Sequence, residues 1–360
     1  GIFTLIGNNN PPVLVLNNGV RIAKAHPFWQ LRPIVINCIK MIIGVENYCY
    51  AVDHNWAKLP EGVGFGYTHA IVEDKNGRII IANQSEDAII FFDKAGNYLQ
   101  SWGAAYAGGA HGLTIHEEDG VEYLYLANTG LGEVVKTDLE GEVIWRIGTP
   151  DLPNIYDAER PFSPTETAVS PDNILYVTDG YGQHWVHRYD LNGRYLDSFG
   201  GAGSEAGQFS CPHGISIDTR NGQPVVQIAN RANIRVDNFT LDGRFLETAI
   251  NGNSLRYPCT TVHQGDHLYI PDLYGRISIF DADNQLVCHL GDYVAGGEWA
   301  DDWGSFGEKV PGLKGYPNLA EEWKLNGRFS SPHGLHVDSD GNIYVAEWIN
   351  IGRVTKLTRL

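Results

Sequence analysis

Short runs in which apolar and polar side chains alternate recur along most of the chain, each bounded by a turn. Ile215-Ser-Ile-Asp218 and Leu335-His-Val-Asp338 are of this kind, the second leading into the turn Asp340-Gly341-Asn342. A second run follows each such turn, as in Leu124-Tyr-Leu-Ala-Asn128, Leu175-Tyr-Val-Thr-Asp179 and Ile343-Tyr-Val-Ala-Glu347. A third ends in an acidic turn (Arg188-Tyr-Asp-Leu-Asn-Gly193, Asn238-Phe-Thr-Leu-Asp-Gly243), and Arg194-Tyr-Leu-Asp-Ser-Phe-Gly200 typifies a fourth. Period-two alternation with Asn-Gly and Asp-Gly turns predicts four-stranded antiparallel meanders.

In register, the units begin near His69, His111, Thr165, His213, Cys259 and His333, roughly 42 to 54 residues apart except for the last step. That period suits the blades of a propeller. Six units predict an all-β, six-bladed β-propeller, a ring that hides most sheet edges. The sixth unit has only three strands before Leu360, so its outer strand is expected from Tyr48-Cys-Tyr-Ala-Val-Asp53, closing the ring. Residues 1–47 then form an N-terminal extension and 48–360 the propeller. Two connections exceed the usual loop length, Gly148 to Phe162 and residues 292–328. The second carries Trp299, Trp303 and Trp323 and is a candidate lid, or equally a surface elaboration.

Composition narrows the function classes. A net charge of −17 offers no basic stripe for nucleic acid. Five cysteines without a CxxC pair argue against a disulfide scaffold or a thiolate zinc knuckle. The longest apolar stretch, Ile34 to Val45, is interrupted by Asn37 and Lys40 and is too short to span a bilayer. No signal peptide is visible, which leaves secreted, periplasmic and cytoplasmic locations open.

The candidate chemistry lies in the repeated strand-start histidine: Thr68-His69-Ala70, Ala110-His111-Gly112, Pro212-His213-Gly214 and Pro332-His333-Gly334. Inner strands line the channel of a propeller. His111, His213 and His333, on alternate blades, are therefore expected to face one ion and leave a position open, the pattern of catalytic zinc. Iron and copper suit the same ligands. His69 is a fourth ligand, a general base or a substrate contact. Cys259 reads as a small buried filler, and His184, His187, His263 and His289 as structural. The second runs end in a polar ring of Asn83, Asn128, Asp179, Asn230, Asp272 and Glu347, which ties backbones together. Just beyond it, Tyr181 is a candidate for proton transfer and Arg231 for binding a substrate anion.

Gly207-Gln-Phe-Ser-Cys-Pro-His-Gly-Ile-Ser-Ile-Asp218 resembles an NHL repeat. The ordered blocks His111-Gly-Leu-Thr-Ile, Ser163-Pro-Thr-Glu-Thr-Ala-Val169 with Tyr176-Val-Thr-Asp-Gly-Tyr181, Pro212-His-Gly and Pro332-His-Gly resemble peptidyl-α-hydroxyglycine α-amidating lyase over about residues 69 to 360. The resemblance implies a zinc held by His111, His213 and His333, with Tyr181 in catalysis. It also implies cleavage of a hydroxyglycine-extended peptide into an amide and glyoxylate. The departures are specific. The family's first-blade arginine aligns near Asn83-Gln84. Its methionine before the last histidine is Ser331, the aspartate linked to a structural calcium is Gly334, and a disulfide cysteine is Gly182.

The expectation is a metal-dependent, lyase-like enzyme acting on a small hydroxylated or amide-bearing substrate. Zinc is the expected ion, with a structural calcium open. His69, Tyr181 and Arg231 are the catalytic candidates. The alternatives are a non-catalytic NHL propeller binding a protein or peptide, and a copper or iron oxidoreductase on the same fold.

Overall fold

A computed structural model describes residues 41–292, 327–349 and 351–360 of the chain. They form the expected six-bladed propeller of antiparallel sheets. Blade one runs Thr68–Glu73, Ile79–Asn83, Ile89–Phe92 and Tyr98–Trp102. Blades two to five repeat this from inner strands Ala110–Glu118, Glu166–Val169, Pro212–Asp218 and Val262–Gln264. Blade six consists of Pro332–Val337, Ile343–Glu347 and Arg353–Arg359, and Tyr48–Asp53 pairs antiparallel with the last of these. This pairing closes the ring. Ile42–Val45 then pairs with Tyr48–Asp53 as a fifth strand, so blade six draws on residues of the expected extension. The first 40 residues and most of the 292–328 insertion lie outside the described residues.

Local turn chemistry explains the repetition. Asp74, Asp93, Asp138, Asp190, Asp281 and Asp338 each accept, through Oδ1, backbone N–H groups two and four residues ahead. This Asx geometry locks the reversal between neighbouring strands. The polar ring at the ends of the second strands acts on the loops that enter the inner strands. Asn83 accepts from Gly66 N, Asp179 from Ser163 N, Asn230 from Ser210 N, Asp272 from Arg256 N and Glu347 from Ser330 N.

The core is divided into six wedges, one at each contact between neighbouring blades. Tyr50 and Val52 of the closing strand, for example, pack with Ile277, Ile279, Leu335 and Val345 from blades five and six. Trp56, Ile71 and Ile81 meet Tyr344 and Ala346 across the join of blades one and six. The long connection between blades two and three is part of this packing: Tyr156 and Phe162 are buried against Leu175 and Val177. All four described cysteines are free.

His187 shows how the wedges respond to pH. It is buried on blade three, and burial lowers its pKa from 6.5 to about 3, so it folds as the neutral imidazole. A base depressed in the folded state contributes stability above pH 6.5, and this is lost as the pH falls toward 3. Urea denaturation should therefore give a falling midpoint between pH 7 and 5. The fall should be shallower in His187→Gln, compared with each protein's own value at pH 7.5.

Candidate metal centre

The inner strands of blades one, two, four and six each begin with a register shift, and each shift spans a histidine. The shifts lie between Thr68 and Ala70, Ala110 and Leu113, Pro212 and Gly214, and Pro332 and Gly334. A bulge takes its extra residue out of the ladder and re-aims the side chain. Here the side chains converge. The ring centroids of His111, His213 and His333 form a near-equilateral triangle of 4.7–4.8 Å sides. His69 stands 4.4 Å from His111 and 4.5 Å from His333. All four rings are buried.

Each ring of the triangle is tethered to the next blade with an inner-strand histidine, threonine or cysteine start. His111 Nδ1 donates to Thr165 O at 2.6 Å, His213 Nδ1 to Cys259 O at 2.7 Å and His333 Nδ1 to His69 O at 3.0 Å. A carbonyl only accepts, so each Nδ1 carries the proton and each Nε2 presents a lone pair. This backbone anchoring of one nitrogen is the usual support of a metal-binding imidazole. The glycine after each of these histidines makes the approach feasible. A Cβ at Gly112, Gly214 or Gly334 would lie 2.4, 2.4 or 2.1 Å from the very carbonyl that is accepting.

The Nε2 atoms have too few protons between them. The Tyr181 hydroxyl is 2.9 Å from His213 Nε2 and 3.2 Å from His111 Nε2, and its single proton can serve only one. Arg231 Nη2 donates to the same hydroxyl at 3.3 Å. His333 Nε2 and both nitrogens of His69 make no hydrogen bond of good geometry among the described residues, Gln84 being at most a weak side-chain partner of His69. A buried surplus of imidazole lone pairs is the donor set a transition-metal cation requires, so these residues fit one. Among the described residues, two groups have ligand atoms that all lie within 4.8 Å of one another: His69, His111 and His333, and His213, Cys259 and His333.

Burial sets the protonation. It lowers His111 to about 3 and puts His69, His213 and His333 well below 6.5, so all four are neutral at pH 7. It raises the Cys259 thiol to about 12 against the pull of Arg231. Tyr181 leaves 44% of its surface exposed while its hydroxyl faces the imidazoles, and burial of that end raises it to about 12. Arg231 is buried without a carboxylate partner among the described residues. It lies over the rings of Tyr257 (4.9 Å) and Tyr181 (5.3 Å).

The structure thus brings His69, His111, His213, His333, Tyr181 and Arg231 together and places Cys259 beside them. His187, His263 and His289 bond instead to Ser198, Gln227 and Ser278. Gln84 holds the position in blade one that Arg231 holds in blade four: Gln84 N bonds Tyr67 O as Arg231 N bonds Cys211 O. At Gly182 a Cβ would fall 2.0 Å from Asp179 Oδ1, so a side chain there would have to displace that carboxylate from Ser163 N.

Sequence reasoning passed over two features. Tyr257 stacks on Tyr274 (4.7 Å, 8°) beside Arg231. Its signal was its position two residues before Cys259, where Cys211 precedes His213. Glu166 lines a cavity of about 380 Å³ between all six inner strands, and burial raises its carboxyl to about 8.

No family model matches the chain. It is 26% identical over 363 residues to peptidyl-α-hydroxyglycine α-amidating lyase 1 of Drosophila melanogaster, covering 88% of this chain and 61% of that protein. It is 27% identical over 172 residues to a probable lyase of the same name from Caenorhabditis elegans, covering 47% of each chain. It is 25% identical over 211 residues to human NHL repeat-containing protein 3, covering 55% of this chain and 58% of that one. The chain thus spans about half to three-fifths of the length of these curated relatives. Among solved structures, a gluconolactonase from Xanthomonas campestris superposes with a TM-score of 0.56 at 12% identity, covering 86% of this chain and 89% of that one. A virginiamycin B lyase from Staphylococcus aureus gives 0.52 at 14%, covering 88% and 94%. The structural likeness concerns the fold; the resemblance to the amidating lyases rests on the sequence relatives.

The tethers make a sharp prediction. Gly334→Ala should push blade six away from His69 O, with a stability loss of about 1–3 kcal/mol as for other overpacked sites. Urea denaturation measures it. Gly64→Ala, which lies in open space and, like Gly334, has no positive φ, serves as the comparison and should lose less.

Proposed function

We propose that the protein is a metal-dependent, lyase-like enzyme acting on a small hydroxylated or amide-bearing substrate at the histidine end of the inner strands. The observation that carries this reading is the buried surplus of imidazole lone pairs, with Tyr181 and Arg231 directly beside it. His111, His213 and His333 would hold the ion, zinc first by ligand type and iron or copper next. When bound, the ion supplies Lewis-acid polarisation of a substrate oxygen.

The protein's own groups divide the remaining work. Arg231 is a buried guanidinium whose planar fork suits a carboxylate, and it lies over Tyr257, which is stacked on Tyr274. Tyr181 holds a proton between Arg231 and two imidazoles, where it can pass to a departing nitrogen. For a hydroxyglycine-extended peptide, the carbinol O–H proton would pass to the Tyr181 oxygen as Tyr181 gives its own proton to the departing nitrogen, and the carbinol oxygen forms a C=O bond. The C–N bond then breaks, its electron pair stays on nitrogen, and that nitrogen takes a proton. The products are an amide and glyoxylate, with no oxidant needed. His69, the other proton-transfer candidate, faces only the Gln84 amide and imidazoles among the described residues, and an amide does not relay a proton near neutral pH.

Replacement of the first-blade arginine by Gln84 favours a substrate different from that of the amidating lyases, with one cation fewer to hold it. The test combines metal analysis with turnover. Protein purified without added metal should contain close to one equivalent of a transition metal, lost in His111→Ala, and should release glyoxylate from a hydroxyglycine-extended peptide slowly but above the metal-only rate. Less than a tenth of an equivalent, unchanged by the substitution, would favour a non-catalytic propeller. Metal without glyoxylate would keep the metalloenzyme and exclude the amidating reaction.

A further inference from the structure

His69 has no counterpart in the three-histidine pattern, yet it is as buried as the other three rings and closer to two of them than they are to each other. Its context also differs. The residue after it is Ala70 instead of glycine, and its backbone carbonyl is the one that anchors His333. Blade one therefore supports a ligand of blade six through its main chain while presenting a ring of its own. Among the described residues neither nitrogen of that ring makes a hydrogen bond of good geometry and Gln84 is at most a weak partner, which is costly for a buried polar group unless something absent from the polypeptide satisfies it.

Geometry and charge point to the same corner of the site. His69, His111 and His333 form one close set of ligand atoms; His213, Cys259 and His333 form the other. The two share His333, whose Nδ1 is committed to His69 O, so its Nε2 serves only one ion. The set containing Cys259 lies against the Arg231 guanidinium, which contacts Tyr181 and through it His213. A second positive charge is disfavoured there. On the far side of the His111–His333 edge the walls are imidazoles and the neutral amide of Gln84, and Arg231 weighs on His69 less than the neighbouring imidazoles do, whereas it is the leading charge on His213.

We propose that His69 is itself a metal ligand, so that the ion lies at the His69–His111–His333 corner and His213 completes a four-imidazole set. This rests on the metal-site reading above and changes its consequence. Four protein ligands fill the usual tetrahedral shell of zinc, whereas iron, copper or cobalt accept a fifth or sixth ligand and keep a position for substrate. The arrangement therefore selects a metal of higher coordination number for activity, and it leaves proton transfer to Tyr181.

The test uses the full chain stripped of metal and titrated with Co(II) in competition with a chromophoric chelator. His69→Gln should lose more affinity than the roughly 10–100-fold that a merely supporting residue costs, and should shift the visible Co(II) bands. Cys259→Ala should leave both unchanged. Circular dichroism of the apo variants checks folding. Cu(II) bound to the unaltered protein gives a reading free of variants, with nitrogen superhyperfine structure expected for four imidazoles. Co(II) affinity and bands unchanged in His69→Gln, with three nitrogens on Cu(II) and binding abolished in His111→Gln, would overturn the role of His69 alone. No Co(II) binding by the unaltered protein would overturn the metal-site reading as well.

Discussion

A histidine Nδ1–H bonded to a backbone carbonyl across a blade boundary is made three times in this propeller, and it joins the packing of the ring to the chemistry of its histidines. His111, His213 and His333 cannot turn without releasing Thr165, Cys259 or His69. Those carbonyls cannot come close without the glycine beside each ring. The bulge that frees the histidine from its strand and the glycine that admits the neighbouring blade act as one device. Pre-orientation of this kind also fixes the tautomer, which is what makes each Nε2 available to a cation.

Ring closure is the second requirement, because a gap between blades one and six would separate His333 from its acceptor. Tyr48–Asp53 supplies that closure by pairing with the last strand and burying Tyr50 in the wedge between blades five and six. The site thus depends on residues nearly 300 positions away in sequence. Blade six in turn carries Glu347, whose carboxylate holds Ser330 N at the entrance to the His333 strand.

Much of this was legible in the sequence, since a period-two pattern with Asp-led turns has few folded solutions other than repeated meanders. The three Pro-His-Gly and Ala-His-Gly starts also stood at matching places in units two, four and six. What pairs with what across a blade boundary was not legible. The carbonyl acceptors belong to main chain at Thr165, Cys259 and His69, and backbone carbonyls carry no residue-type signature. For the same reason the glycines read as turn residues, when the space beside them is what matters. Tyr257 was overlooked because its partners, Arg231 and Tyr274, lie in other turns of the chain. The resemblance to amidating lyases directed attention to Tyr181 and to Gln84, and the structure puts both beside the imidazoles.

The converging imidazoles are read here as sharing one cation. Crystals of the full chain grown with a transition metal, with diffraction recorded on both sides of its absorption edge, test this most directly. A shared cation gives a single anomalous peak about 2.0–2.1 Å from the Nε2 atoms of His111 and His333, each with its Nδ1 still on the neighbouring carbonyl. Strong anomalous density elsewhere, with an ordered water or nothing between these rings, would contradict it.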